Sequence, residues 1–378
     1  RIMYPAKGEL SRNAEFLMNE IICISLILSC IISYVATNLV LKFAHKKRLY
    51  DSFDERKIHK GNIPRLGGVA FSLATILTII LVGIYVRYWG SFKFALYFAT
   101  HSELIMFAVI ALLLVTMTGL LDDLIGFRYR TKFIAQISAG VLVCYSGFWI
   151  NNFHGLFGLY HLNIYQGWIL TIFTVVLITN AINFIDGIDG LAGTLSLFFF
   201  VFYFIVAYTY TQLAILIITI PVIGALLPFL YFNLFGKAEK KKKIFMGDTG
   251  SLFIGFLVSV ICIDITNDSE NILGATPIAV AYCPLIVPCF DLARVVISRL
   301  YENRNPFKAD KTHLHHLILS IVKSQKVTLL LIMTLALFIT SASILLSYDF
   351  NVNLVFMFDV MIWIMVMMVI YRKLKKNN

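Results

Sequence analysis

Asn180-Ala-Ile-Asn183-Phe-Ile-Asp186-Gly-Ile-Asp189-Gly190 sets two carboxylates, two amides and two glycines between apolar runs, with no Lys or Arg among them. Charge near hydrocarbon is expensive. A loop that merely left a membrane would not need to be acidic. On a helix Asn183 and Asp186 are neighbours, and Gly187 and Gly190 are expected to end the helix and let Asp189 point elsewhere. Hard oxygen donors of this kind suit Mg²⁺, with Mn²⁺ as the alternative, or the rim of a phosphate site. A plain Asp-Gly turn is the competing reading, and the repeat Asp-Gly-Ile-Asp-Gly weighs against it.

Four further polar segments could do related chemistry. Leu121-Asp122-Asp123, followed by Arg128, Arg130 and Lys132, pairs adjacent carboxylates that repel each other unless a metal or a lysine stands between them. Capping of a helix by one Asp is an equal reading. Arg56-Lys57-Ile-His59 with Pro64 and Gly67-Gly68 suits a phosphate-bearing ligand, while Lys46, Lys47 and Arg48 read as a basic anchor. Gly247-Asp248-Thr-Gly250-Ser251 opens an apolar run after the lysines 240–243, and Asp248 there is either a ligand or an N-cap. Arg304 precedes His313-Leu-His315-His316. With no Cys nearby, these imidazoles suit phosphate or sugar oxygens better than zinc. Within the apolar runs, Asp291 and Arg294 read as an i,i+3 ion pair, and Asn233 as a cap or a pocket wall.

The elements that must position these groups are membrane spans. Of the 378 residues, 59% are hydrophobic, and the mean hydropathy is +0.83. Eleven runs are long enough to cross a bilayer: near 20–42, 66–86, 104–121, 132–149, 167–182, 191–209, 213–234, 249–266, 275–298, 327–346 and 353–371. The fold class is therefore all-α and polytopic. The net charge of +11 is distributed by topology, since 27 of the 32 Lys and Arg follow odd-numbered spans. The positive-inside rule then puts the N-terminus outside, the C-terminus inside, and every motif on the cytoplasmic face. A nucleic-acid partner is excluded on this distribution, and membrane lipid is the expected surround. The six cysteines lie in apolar runs with no CxxC pair and read as small buried hydrophobes. Residues 1–17 read as a polar, helix-poor extension and 18–378 as one integral membrane domain. Segment 151–166 reads as an interfacial hairpin without chemistry.

Taken together, from about Asp54 to His316, the five motifs resemble the polyprenyl-phosphate N-acetylhexosamine-1-phosphate transferases, in their WecA/TagO-like branch. The MraY translocases are more distant relatives. The resemblance implies transfer of N-acetylglucosamine 1-phosphate from UDP-GlcNAc to undecaprenyl phosphate with release of UMP. The product would initiate a cell-surface glycopolymer at the bacterial inner membrane. It implies that Asp248 and Asn183 hold Mg²⁺ and that Asp122 and Asp123 deprotonate or orient the lipid phosphate. It also implies that Asp186 and Asp189 lie by the nucleotide, and that Lys57, His59, Lys132, Asn180, Arg304, His313, His315 and His316 face substrate. Leu314 interrupts the consecutive-histidine run of the MraY branch, which favours UDP-GlcNAc. Arg128 and Arg130 stand where MraY-like chains carry lysines. Single and double displacement both remain open, as does a homodimer. The competing class is a transporter or flippase, which would place its ionisable groups at mid-span.

Overall fold

A computed structural model describes residues 7–50, 62–89, 101–268, 270–305 and 311–377. Among these the chain is helical, with two isolated antiparallel bridges and no strand. The helices are α1 (Lys7–Lys47), α2 (Gly67–Trp89), α3 (Ser102–Ile125), α4 (Tyr129–Tyr145), α5 (Ile164–Ile185), α6 (Leu191–Thr209) and α7 (Leu213–Phe235). They continue with α8 (Gly247–Thr266), α9 (Pro277–Tyr282), α10 (Ile286–Tyr301), α11 (Leu314–Val322), α12 (Gln325–Leu346) and α13 (Val352–Asn377). The protein is a multi-pass membrane protein. Ten described segments are long and apolar enough to cross a bilayer, one of them the broken helix α9–α10.

Helix α4 accounts for the difference from eleven. Its 17 residues extend roughly 25 Å at 1.5 Å per residue. Yet Lys132 near its start meets Asp248 at the start of α8, and the chain just beyond it reaches the end of α8, where Asn151 N donates to Asn267 and Asn267 Nδ2 to Trp149 O. It crosses the same slab as α8. The N-terminal stretch also departs from expectation, because α1 is helical from Lys7 onward. Segment 151–166 is the hairpin expected, closed by Phe153 N to Tyr160 O and Leu162 N to Asn151 O.

Helix α8 is the hub. Nearly every residue of it is buried, with α2, α3, α5, α6 and α9 packed around it. Small residues permit the close approach that packing between apolar helices requires. A Cβ at Gly68 would run into the backbone of Gly250, and one at Gly119 would stand 2.6 Å from Asp248 O. Gly67 and Gly68 donate their N–H groups to Phe245 O and Met246 O at 2.9 and 2.8 Å. This glycine pair therefore fastens the start of α2 to the entry of α8. On the other side, Ser29 and Ser33 of α1 donate to Pro221 O and Ala225 O of α7 at 2.5 and 2.6 Å.

Candidate active site

The ends of α3, α5 and α10 and the starts of α4, α6, α8 and α11 meet at one end of the bundle. A helix start leaves N–H groups without intrahelical partners, and here three such starts are satisfied from other helices. Asp123 at the end of α3 accepts Asp248 N at 2.8 Å, Thr249 N at 2.9 Å and the Thr249 hydroxyl at 2.6 Å. Asp291 of α10 accepts Leu314 N at 3.0 Å at the start of α11. Asn233 of α7 accepts Gly190 N at 2.7 Å at the start of α6. Gly247 enters α8 with φ +73°, and a Cβ there would strike Arg65 O and stand 2.6 Å from the Asp123 carboxylate. That site needs glycine on both counts.

With Asp123 acting as the cap, the Asp248 side chain is released from that duty. Its carboxylate takes the Lys132 ammonium at 2.5 Å, and the same ammonium reaches Asp122 at 3.3 Å. Arg65 approaches Asp248 from the other side at 3.7 Å. Asp122 also accepts Phe127 N at 2.6 Å. The two adjacent aspartates thus divide their work, Asp123 toward the α8 backbone and Asp122 toward Lys132. Arg128 and Arg130 are exposed.

The acid-rich loop continues this cluster. Asn183 donates to Ser251 at 2.8 Å, which leaves its amide oxygen as the donor for a cation. Asp189 pairs with Lys243, the last lysine of the 240–243 run. The Asp186 carboxyl is pushed up to about 7 by desolvation within the recess, with Arg65 opposing and Asp248, Asp123 and Asp189 adding to the rise. Its side chain keeps solvent exposure, which tempers the effect of desolvation. Asn180 lies a turn deeper and is buried. Its NH₂ is committed to Gln136 at 2.6 Å and Val176 O at 2.8 Å, so it braces α5 against α4.

Histidines form the facing wall. His313 Nδ1 lies 2.9 Å from Asp291, and Arg294 joins Asp291 to Thr312 O, both at 2.6 Å. The expected i,i+3 pair is therefore present and is also the clamp on the histidine loop. Phe184 stacks on His313 with ring centroids 5.4 Å apart. His315 is buried with neither ring nitrogen hydrogen-bonded. Burial pushes its pKa down to about 3, with His316 and His313 adding to the drop. It packs against Gly187, where any Cβ would collide with its Nε2, so the two walls touch through that glycine. His316 lies with its ring 4.2 Å from that of His315. Arg304 pairs with Glu302 at the exposed end of α10. Lys57 and His59 lie outside the described residues.

The sequence model of glycosyl transferase family 4 matches residues 104–266. Over these residues the chain is similar to glycosyl transferase family 4. The match spans α3 to α8 and so contains Asp122, Asp123, Lys132, Asp186, Asp189 and Asp248. The chain is 29% identical over 350 residues to the probable undecaprenyl-phosphate N-acetylglucosaminyl 1-phosphate transferase of Bacillus subtilis, covering 91% of this chain and 90% of that protein. It is 28% identical over 322 residues to the undecaprenyl-phosphate alpha-N-acetylglucosaminyl 1-phosphate transferase of Escherichia coli K12, covering 84% and 82%. Arg65, Lys243, Gln136 and Thr249 join this candidate site by their contacts, and motif reading passed over them. Arg65 and Lys243 were hidden among cations that topology alone would supply. Gln136, four residues after Lys132, carried a usable signal as an amide in an apolar helix.

Proposed function

We propose that this chain transfers N-acetylglucosamine 1-phosphate from UDP-GlcNAc to undecaprenyl phosphate and releases UMP, the first committed step toward a cell-surface glycopolymer. The carrying observation is the Lys132 ammonium between Asp122 and Asp248 at the polar end of a membrane bundle. A water-soluble nucleotide sugar can reach such an end from the aqueous phase, and the polyprenyl tail can stay between helices. The cation excess in the loops at this end supports a cytoplasmic orientation.

In the reaction a phosphate oxygen of the lipid attacks the sugar-linked phosphorus of UDP-GlcNAc. A new P–O bond forms, the bond to the bridging oxygen of UMP breaks, and UMP departs with that oxygen. Catalysis of this kind is mostly positioning and charge stabilisation. Asp122, hydrogen-bonded to Lys132, is placed to orient the lipid phosphate or take its proton. Asp123 holds the start of α8 and with it the Asp248 carboxylate. Lys132 and Arg65 offset phosphate charge. The buried, neutral His315, with His313 and His316, offers ring nitrogens to the sugar or diphosphate oxygens.

Five carboxylates, Asp122, Asp123, Asp186, Asp189 and Asp248, face three cations, Lys132, Arg65 and Lys243. That surplus would repel a diphosphate and suits a divalent cation. Among the described residues no three His, Cys, Asp or Glu side chains converge as a ready-made cage. This fits Mg²⁺, which commonly takes one or two carboxylates and completes its shell with water and substrate phosphates. Asp248 and Asn183 would hold it, and when bound it neutralises charge on the phosphates undergoing exchange. The test is UMP release by purified protein given UDP-GlcNAc, undecaprenyl phosphate and Mg²⁺, with and without EDTA. UMP that requires both lipid and metal is the expected result. Release with a different UDP-amino sugar only would move the substrate, and silence with all of them in folded protein would remove the transferase reading.

A further inference from the structure

Two basic runs nearly two hundred residues apart in sequence end side by side. Helix α1 lies along α7, held by the Ser29 and Ser33 bonds and by Tyr34 against Phe232 at 5.6 Å. The end of α1 carries Lys46, Lys47 and Arg48, and the loop after α7 carries Lys240, Lys241 and Lys242; all six are exposed. The Lys241 backbone stands against the His45 ring, which joins the two runs into one surface. Among the described residues none of the six makes an ion pair, and Glu239 is the only carboxylate in these two stretches.

The lysine loop is folded. Lys240 N and Lys242 N both donate to Lys237 O, at 3.1 and 3.2 Å, and Lys241 holds φ +54°. Asn233 Nδ2 anchors the loop by donating to Ile244 O at 2.7 Å. A loop that only set topology would need the charges but not a fixed turn that gathers them against a second basic run. Like charges held together in this way favour an anion between them. Beside them Phe43, Tyr231 and Phe235 are 54%, 58% and 70% exposed. Aromatic rings at a helix end next to cations mark headgroup depth in a bilayer.

We propose that this rim, formed by the ends of α1 and α7, binds the phosphodiester headgroups of anionic phospholipids. None of the six cations contacts Asp248 or Lys132, and the proposal holds whatever the transferred sugar. Its occupant is a bulk lipid of the leaflet: the aromatic side chains lie where acyl chains begin, and the cations lie where a phosphodiester would sit.

The test uses the full-length protein reconstituted in nanodiscs with equal phosphatidylglycerol and phosphatidylcholine, then released for native mass spectrometry of retained lipid. The wild-type chain is expected to retain phosphatidylglycerol preferentially. K240Q/K241Q/K242Q, which leaves Lys243 in place, should lower that preference at least about fivefold, since one cation near an anionic surface contributes roughly that factor. Raising salt from 0.1 to 1 M on the unaltered protein shortens the screening length from about 10 to 3 Å and should erase the preference without any mutation. Equal retention of both lipids by the wild type, or a preference untouched by salt, would overturn the proposal. Retention of polyprenyl phosphate but not of phosphatidylglycerol would also overturn it and make the surface a substrate site.

Discussion

Asp123 and Asp291 do the same mechanical job in two parts of the recess. Each is a carboxylate on one helix that caps the start of another, Asp123 at α8 and Asp291 at α11. Their company differs. Around Asp123 stand four more carboxylates with Lys132, Arg65 and Lys243 among them. Around Asp291 stand Arg294, His313 and the unpartnered rings of His315. The first wall has surplus negative charge and suits the handling of phosphates through a cation. The second is nearly charge-balanced, rich in ring nitrogens, and suits recognition of neutral oxygens. One structural device, capping from another helix, thus anchors both a wall built for charge and a wall built for shape.

The sharpest way to break this contrast is to remove charge from the first wall. Asp248→Asn keeps size and fold but loses the carboxylate that meets Lys132 and Arg65. Turnover should fall at least about 10²–10³-fold, the scale of one preorganised electrostatic group, with the protein still folded in the membrane. UMP release alongside a thermal unfolding trace measures both. Near-normal turnover would take Asp248 out of the site.

Within the aspartate pair the division of work can be separated. Asp122→Asn should cost about 10²-fold in kcat if it performs acid–base work and change unfolding little. Asp123→Ala should instead destabilise the fold by about 1–2 kcal/mol, the usual range for a lost cap, while Asp123→Asn, which retains an acceptor, should recover much of that. Equal stability losses at 122 and 123 would erase the distinction drawn from the hydrogen bonds.

The second wall should respond as a recognition surface. Asp291→Asn weakens the hold on His313 and the α11 cap. A hydrogen bond to a charged group contributes about 1.5–3 kcal/mol, so KM for the nucleotide sugar should rise at least about tenfold, with kcat changed less. A fall in kcat alone would place His313 in the chemistry.

Sequence made part of this legible, for physical reasons. The carboxylates at 122, 123, 186, 189 and 248 stood out because ionisable groups at the ends of apolar spans have to be justified. The histidine cluster stood out for its density. Which cation would turn inward could not be read: Arg65 and Lys243 sit among lysines and arginines that orientation in a membrane already demands. Nor could adjacent aspartates be told apart, since their roles depend on the approach of α8, more than a hundred residues later. Asn180 shared a motif with Asn183, yet one helical turn of extra depth commits it to Gln136. Helix α4 was legible as a span from its polarity pattern even though its regular part stops at 17 residues.

The smallest expected effect distinguishes the walls by the sign of their pH response. His315 has its pKa depressed to about 3 in the folded chain against roughly 6.5 when unfolded. Between those values the unfolded chain binds the extra proton, so the stabilisation from a neutral His315 is complete above about 6.5 and drains as pH falls. Asp186 behaves oppositely. Its folded pKa is raised toward 7 from roughly 3.9, so the folded chain holds the extra proton, and that contribution is complete at low pH and drains as pH rises through 7. Over pH 4.5–6.5 the two slopes oppose each other, so each variant is compared with metal-free wild type. Relative to wild type, His315→Leu should tilt stability toward falling with rising pH across this window. Asp186→Asn should tilt it toward falling with decreasing pH, and by the lesser amount, because solvent reaches the Asp186 carboxyl. Thermal unfolding of both variants at half-unit pH steps in the presence of EDTA measures the signs. Parallel slopes in the two variants would mean that the walls do not carry the opposite proton balance described above.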